Sequence, residues 1–179
     1  MPLKYFAFPP DIVMYLPEDW FDRDDPPIEL GACREEVFSL PVHPAQPDFV
    51  DDRLTCFLRD LPMTADARVH LAIAVSELVM NIAQQTPKFT DQRFGVHFMY
   101  VAPLYVMVGI TDSCGALPTT ALEQNPTTPA ALAALANHGR GFYIIRQLVH
   151  MLGHVAGPGT EKELLVGINL QPLEVSHAR

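Results

Sequence analysis

Residues 71–82 read Leu-Ala-Ile-Ala-Val-Ser-Glu-Leu-Val-Met-Asn-Ile, an apolar run interrupted at Glu77 and Asn81 by two polar groups four residues apart. In a helix that spacing puts the carboxylate and the amide on one face, one turn above the other. Working outward, Thr64 offers a capping hydroxyl just after the break at Leu61-Pro62-Met63, and Pro87 stops the pattern shortly after Gln85. The reading is a long helix from about Thr64 to about Gln85. Amphipathicity alone does not ask for Glu77 and Asn81. Either they face solvent, or something satisfies them, because an unsatisfied buried polar group costs about 1–3 kcal/mol. A hydrated divalent ion carrying a phosphate chain would do so, since magnesium takes oxygen ligands and keeps waters while bridging phosphates.

The flanks of this helix alternate between strand and helix patterns. Val37–Leu40 reads as a short strand stopped at Pro41, and a core-facing helix follows over 47–60, with Phe49, Val50, Leu54, Phe57, Leu58 and Leu61 at three-and-four spacing. Downstream, Phe94–Val101 and Leu104–Thr111 are rich in β-formers and joined through Ala102-Pro103, an antiparallel hairpin. Residues 112–138 form a long turn-rich connection with an alanine-rich piece at 129–136 that reads as a short helix; connections of this length are usually functional. A third helix is expected over 139–151 and a closing strand over 163–170. Nine of the 17 prolines fall in residues 1–47, including Pro9-Pro10 and Pro26-Pro27, so the N-terminal arm, 1–36, is expected to be irregular. Its Tyr5, Phe6, Phe8, Met14, Tyr15, Trp20 and Phe21 suit packing along the domain, docking a partner or dimerising. The organisation is thus an arm over 1–36, one domain over 37–170 and a short tail over 171–179.

Composition narrows the function classes. The 179 residues carry 12 Lys and Arg against 21 Asp and Glu, a net charge of −9, of which −6 lies in residues 1–36. A basic nucleic-acid binder is excluded, and no direct nucleic-acid contact is expected. No run approaches the ~18–20 apolar residues of a membrane span, and the N-terminus lacks the order of a signal peptide, so a cytoplasmic protein without membrane attachment is expected. Cys33, Cys56 and Cys114 are odd in number, widely spaced and without a C-x-x-C pair, which argues for reduced thiols rather than a disulfide framework or a zinc site.

Two further polar points stand out. Asp112 closes the β-run Leu104–Thr111 and is followed by Gly115 and Pro118; it could cap its own turn or face a site, since sites gather at strand ends. Gly139-Arg140-Gly141 opens the third helix, as a plain turn or as a set of amide donors at the positive end of a helix dipole, where phosphate oxygens bind. The pair His150 and His154 has helical i, i+4 spacing but lacks the glutamate of a zinc-protease helix and contains Gly153, which would end a helix.

Taken in order, Glu77-x-x-x-Asn81, Asp112 with Gly115, Gly139-Arg140-Gly141 and then Gly159-Thr160 resemble the boxes of the GHKL, or histidine-kinase-like, ATPases. From about Val37 to Leu170 the chain is similar to the anti-sigma-factor serine kinases of the RsbW and SpoIIAB type. That resemblance implies an α/β fold of the Bergerat type: a two-layer sandwich, its mixed, largely antiparallel sheet covered by helices on one face. It implies ATP and Mg2+ as cofactors, with Asn81 as the magnesium ligand and Glu77 as catalytic base on an attacking hydroxyl. Asp112 would receive the adenine amino group, with Thr160 supporting that end, and Gly139, Arg140 and Gly141 would form the phosphate-side hinge. It implies a regulatory protein partner, an anti-anti-sigma-like protein or a sigma factor, and leaves homodimerisation open. The chain departs from the usual pattern where Cys114 and Ala116 stand two and four residues after Asp112, and where Gln85 stands eight after Glu77. Basic residues near the expected phosphates are few: Arg140, with Lys88 and Lys162 as further candidates. A catalytically weak or inactive GHKL-fold module that regulates by protein binding is the alternative; a dimerisation-gated ATPase of the gyrase branch ranks behind both, because the chain lacks the transducer domain of such enzymes.

Overall fold

The computed structural model describes residues 3–8, 12–17, 33–84, 92–101, 104–113, 140–156 and 162–170. Among the described residues seven strands form one sheet: β1 (Leu3–Phe8), β2 (Ile12–Pro17), β3 (Cys33–Pro41), β4 (Arg93–Val101), β5 (Tyr105–Asp112), β6 (Met151–Ala156) and β7 (Lys162–Asn169). The helices are α1 (Gln46–Leu58), α2 (Ala65–Ala83) and α3 (Arg140–Leu148). Across the sheet the order is β1-β2-β6-β7-β5-β4-β3. Every described pairing is antiparallel. The expectation of a mixed sheet is corrected accordingly: among the described residues no strand runs parallel to its neighbour.

Strand alternation separates the two faces. Val96 and Phe98 of β4, Val106, Val108 and Ile110 of β5, Leu152 of β6, and Leu164, Val166 and Ile168 of β7 belong to one buried cluster. The same cluster takes in Val50, Leu54 and Phe57 of α1, Leu71, Leu78 and Val79 of α2, and Phe142 and Ile145 of α3, so all three helices cover one face of the sheet. Aromatic rings tie α1 to the β3 edge. Phe98 packs against Phe38 and Phe57 with ring centroids 5.4 Å apart in both pairs, and the Arg34 guanidinium lies 4.8 Å above the Phe57 ring. At the same edge Arg53 of α1 donates from Nε to Glu36 Oε1 at 2.7 Å.

The long helix forms for the reasons the sequence offers. Thr64 Oγ1 accepts the Ala67 amide at 3.1 Å and satisfies one of the free donors of the first turn. The observed range, Ala65–Ala83, ends two residues before the expected limit.

Three expectations are corrected. The N-terminal arm contains two strands, paired in register from Leu3↔Pro17 to Phe8↔Ile12, and β2 joins the main sheet through β6 from Ile12↔Val155 to Tyr15↔Leu152. The two strands end at Phe8 and begin again at Ile12, so neither takes in the Pro9-Pro10 pair that argued for an irregular arm. The third helix stops at Leu148, short of the expected 151, and Met151 opens the strand β6, which the sequence reading does not anticipate. Strand β3 begins at Cys33, so the expected boundary between residues 36 and 37 falls inside it. The alanine-rich piece at 129–136 lies outside the described residues. Among the described residues no helix is long and apolar enough to cross a membrane.

Candidate functional site

Glu77 and Asn81 lie on the part of α2 that meets the start of α3. Both are half-buried, in contrast to their helix neighbours Ile73 and Met80, which are exposed. Each is thus partly withdrawn from solvent, between the two readings that the sequence leaves open. What lies against them is backbone. A Cβ added at Gly141, the second residue of α3, would stand 2.9 Å from Glu77 Oε2, 3.4 Å from Asn81 Nδ2 and 3.8 Å from Asn81 Oδ1. Glycine at this position leaves room for the Glu77 carboxylate beside the first turn of the helix, with the Asn81 amide at ordinary contact distance. There the peptide dipoles leave a positive end and free amide donors, which favour a carboxylate or a phosphate. Two segments that the sequence offered separately, the E-x-x-x-N helix and the G-R-G turn, thus meet at one point.

Asp112 occupies a second polar position on the helix-bearing face. It closes β5, stands directly across from Lys162 at the start of β7, and is buried. Lys162 Nζ lies 2.6 Å from Asp112 Oδ1, with side-chain exposures of 12% for the lysine and 2% for the aspartate. Helix α2 packs over both β5 and β7, so the strand pair that carries this ion pair also supports the helix that carries Glu77 and Asn81. The sequence offers Lys162 as a candidate phosphate-side cation. It lies instead on the carboxylate expected to receive a base. The missed signal was a register: only the β5–β7 ladder makes residues 112 and 162 neighbours.

Gly115, Gly139 and Thr160 lie outside the described residues, as do Lys88 and Cys114. Arg140 is the first residue of α3, its side chain likewise outside what is described. Among the described residues no group of three or more His, Cys, Asp and Glu side chains is placed to hold a metal ion. His150 precedes β6 and His154 lies within it, so the two do not share a helix face. A groove of about 290 Å³ between α1 and α2 is lined by Leu54, Leu58, Arg68, Val69 and Ala72, with neither Glu77 nor Asn81 in its wall.

Neither a protein-family model nor a curated protein matches this sequence.

Proposed function

We propose that the chain is an ATP-binding regulatory protein of the GHKL, anti-sigma-factor type, which phosphorylates a serine or threonine of a small partner protein and exchanges partners as it does so. One observation carries the reading: the Gly141 backbone brings the first turn of α3 against the Glu77 carboxylate and the Asn81 amide. The donor chemistry suits the cofactor. Asn81 offers a neutral amide oxygen, a hard ligand of the kind magnesium accepts beside water and phosphate oxygens. Glu77, one turn away, would take the proton of the partner's hydroxyl; with nucleotide bound, that hydroxyl oxygen would replace ADP at the transferred phosphoryl group. Such transfer depends on position and charge neutralisation, which one helix supplying both groups provides. A sigma factor or an anti-anti-sigma-like protein is the partner this reading calls for.

A second reading is favoured by the Lys162–Asp112 ion pair. With an ammonium on the carboxylate that would recognise adenine, the chain is a GHKL-fold module that regulates by holding a protein and makes little use of nucleotide.

Calorimetric titration of the full chain with Mg-ATP separates the two. The kinase reading expects saturable binding that Asn81→Ala weakens by at least about tenfold, whereas Glu77→Gln keeps binding and loses transfer. Binding untouched by Asn81→Ala removes the magnesium assignment, and no binding at millimolar nucleotide selects the second reading for the wild-type chain.

A further inference from the structure

We propose that Lys162 is a built-in competitor for the base-recognition end of the site: its ammonium group holds Asp112, and a nucleotide base gains that carboxylate only in molecules where the lysine has swung away. The inference rests on the nucleotide reading above and assigns the residue that sets affinity within it.

The register fixes the contact. Asp112 and Lys162 are cross-strand partners, the pair at the end of the β5–β7 ladder, and alternation from Ile110 puts both on the helix-bearing face. A base donating its exocyclic amino group needs a carboxylate oxygen presented to it; Asp112 Oδ1 already has Nζ at 2.6 Å. Both side chains are largely withdrawn from solvent, so the contact is not screened as a surface pair is. The competitor is also mobile in principle. Lysine carries its charge on four rotatable methylenes, and Lys162 is the first residue of its strand, so release requires side-chain rotation and no break in the sheet. A ligand shifts such an equilibrium only by its differential affinity, and when the competent state is about 1–10% populated the apparent affinity falls by about 10–100-fold.

Base selectivity follows from the same contact. Adenine presents an amino donor to Asp112. Hypoxanthine presents a carbonyl oxygen at that place, which the carboxylate repels and a nearby ammonium tolerates. The wild-type chain should therefore bind adenine nucleotide weakly and discriminate poorly against hypoxanthine nucleotide.

The test is calorimetry of the full chain and of Lys162→Met, which keeps the length and apolar bulk of the stem, with Mg-ADP and Mg-IDP. The proposal expects Lys162→Met to bind Mg-ADP about 10–100-fold more tightly than wild type, with little gain for Mg-IDP. Wild-type binding that Lys162→Met leaves equal or weakens would overturn the competitor while leaving the nucleotide reading standing, because the lysine would then belong to the recognition surface. No Mg-ADP binding by either protein would end both. Should Lys162→Met fail to fold, mass-spectrometric acylation of Lys162 in the wild-type chain decides. Saturating Mg-ADP should raise its modification rate several-fold, and an unchanged or slower rate would overturn the proposal.

Discussion

Glu77 Oε2 lies 2.9 Å from the position that a side-chain carbon on Gly141 would take. The close contact is the end of a flexible side chain, so Gly141→Ala displaces the carboxylate without breaking the backbone. Alanine also gains up to about 1 kcal/mol of helix propensity over glycine, which offsets the crowding. Gly141→Ala is expected to keep stability within about 1 kcal/mol of wild type, to leave Mg-ATP binding near the wild-type level, and to lower phosphoryl transfer to the partner by at least about tenfold. Urea denaturation and a transfer assay with labelled ATP on the same preparation check this. An unchanged transfer rate would reduce the glycine to a packing residue.

Asp112 and Lys162 also make a stability prediction that is independent of any ligand. Removing one member of a buried pair leaves the other charge without its counter-ion, and typically costs about 3–5 kcal/mol; replacing both with apolar groups costs far less. Asp112→Ala should therefore destabilise the chain strongly, and Asp112→Ala with Lys162→Met should recover most of the loss. Denaturant midpoints for the two single variants and the double variant give the coupling directly. Additive losses would show that the contact contributes little.

Local pattern made the helix layer legible. Thr64 and the apolar spacing of α2 depend on neighbours within a few residues and fall where the sequence puts them, while the helix ends at Ala83, two residues short of the expected limit. The β4–β5 hairpin was legible for the same reason, its strands being adjacent in the chain. Strand β6 was not. Met151 and Leu152 continue the apolar spacing of Ile144, Ile145, Leu148 and Val149, and Gly153 weakens a strand signature. What makes the segment a strand is β7 on one side and β2 on the other, pairings such as Leu152↔Val166 and Tyr15↔Leu152 that no local window contains. The site divided along the same line. Glu77 and Asn81 were visible as a one-turn pair, but Lys162 acquires its place only from the β5–β7 register.

Phe98 joins the sheet to the α1 edge and tests the core. Its ring is fully buried and contacts both Phe38 and Phe57, so truncation removes two aromatic contacts as well as apolar burial. Phe98→Ala should cost about 3–5 kcal/mol, and Phe98→Leu distinctly less because most of the volume is kept. The measurement is the urea midpoint at constant m-value; a loss under about 1 kcal/mol would mean that the α1–β3 edge relaxes to close the cavity.

The dependence of stability on pH has a definite sign. Burial lowers the pKa of His154, whose Nδ1 has no hydrogen-bond partner among the described residues. Desolvation, and then the neighbouring His70, lower that of His150, whose Nδ1 accepts the Asn169 amide at 2.9 Å and would lose that bond on protonation. For both, the unfolded chain binds protons at higher pH than the folded one. Their contribution is complete above the ordinary histidine pKa of about 6.5 and is lost as pH falls from there toward the folded values. Glu163 acts oppositely. Burial raises its pKa, partly offset by His97, so its contribution is present below the ordinary carboxylate range and is lost as pH rises through the folded value. Between about pH 7.5 and about pH 5.5 the histidines should dominate, and wild type should lose stability. His154→Leu should flatten that slope, whereas Glu163→Gln should leave the histidine slope in place and raise stability at neutral pH. Thermal melts of the three proteins across this window check the assignment, and an unchanged slope in His154→Leu would clear His154 of any part in it.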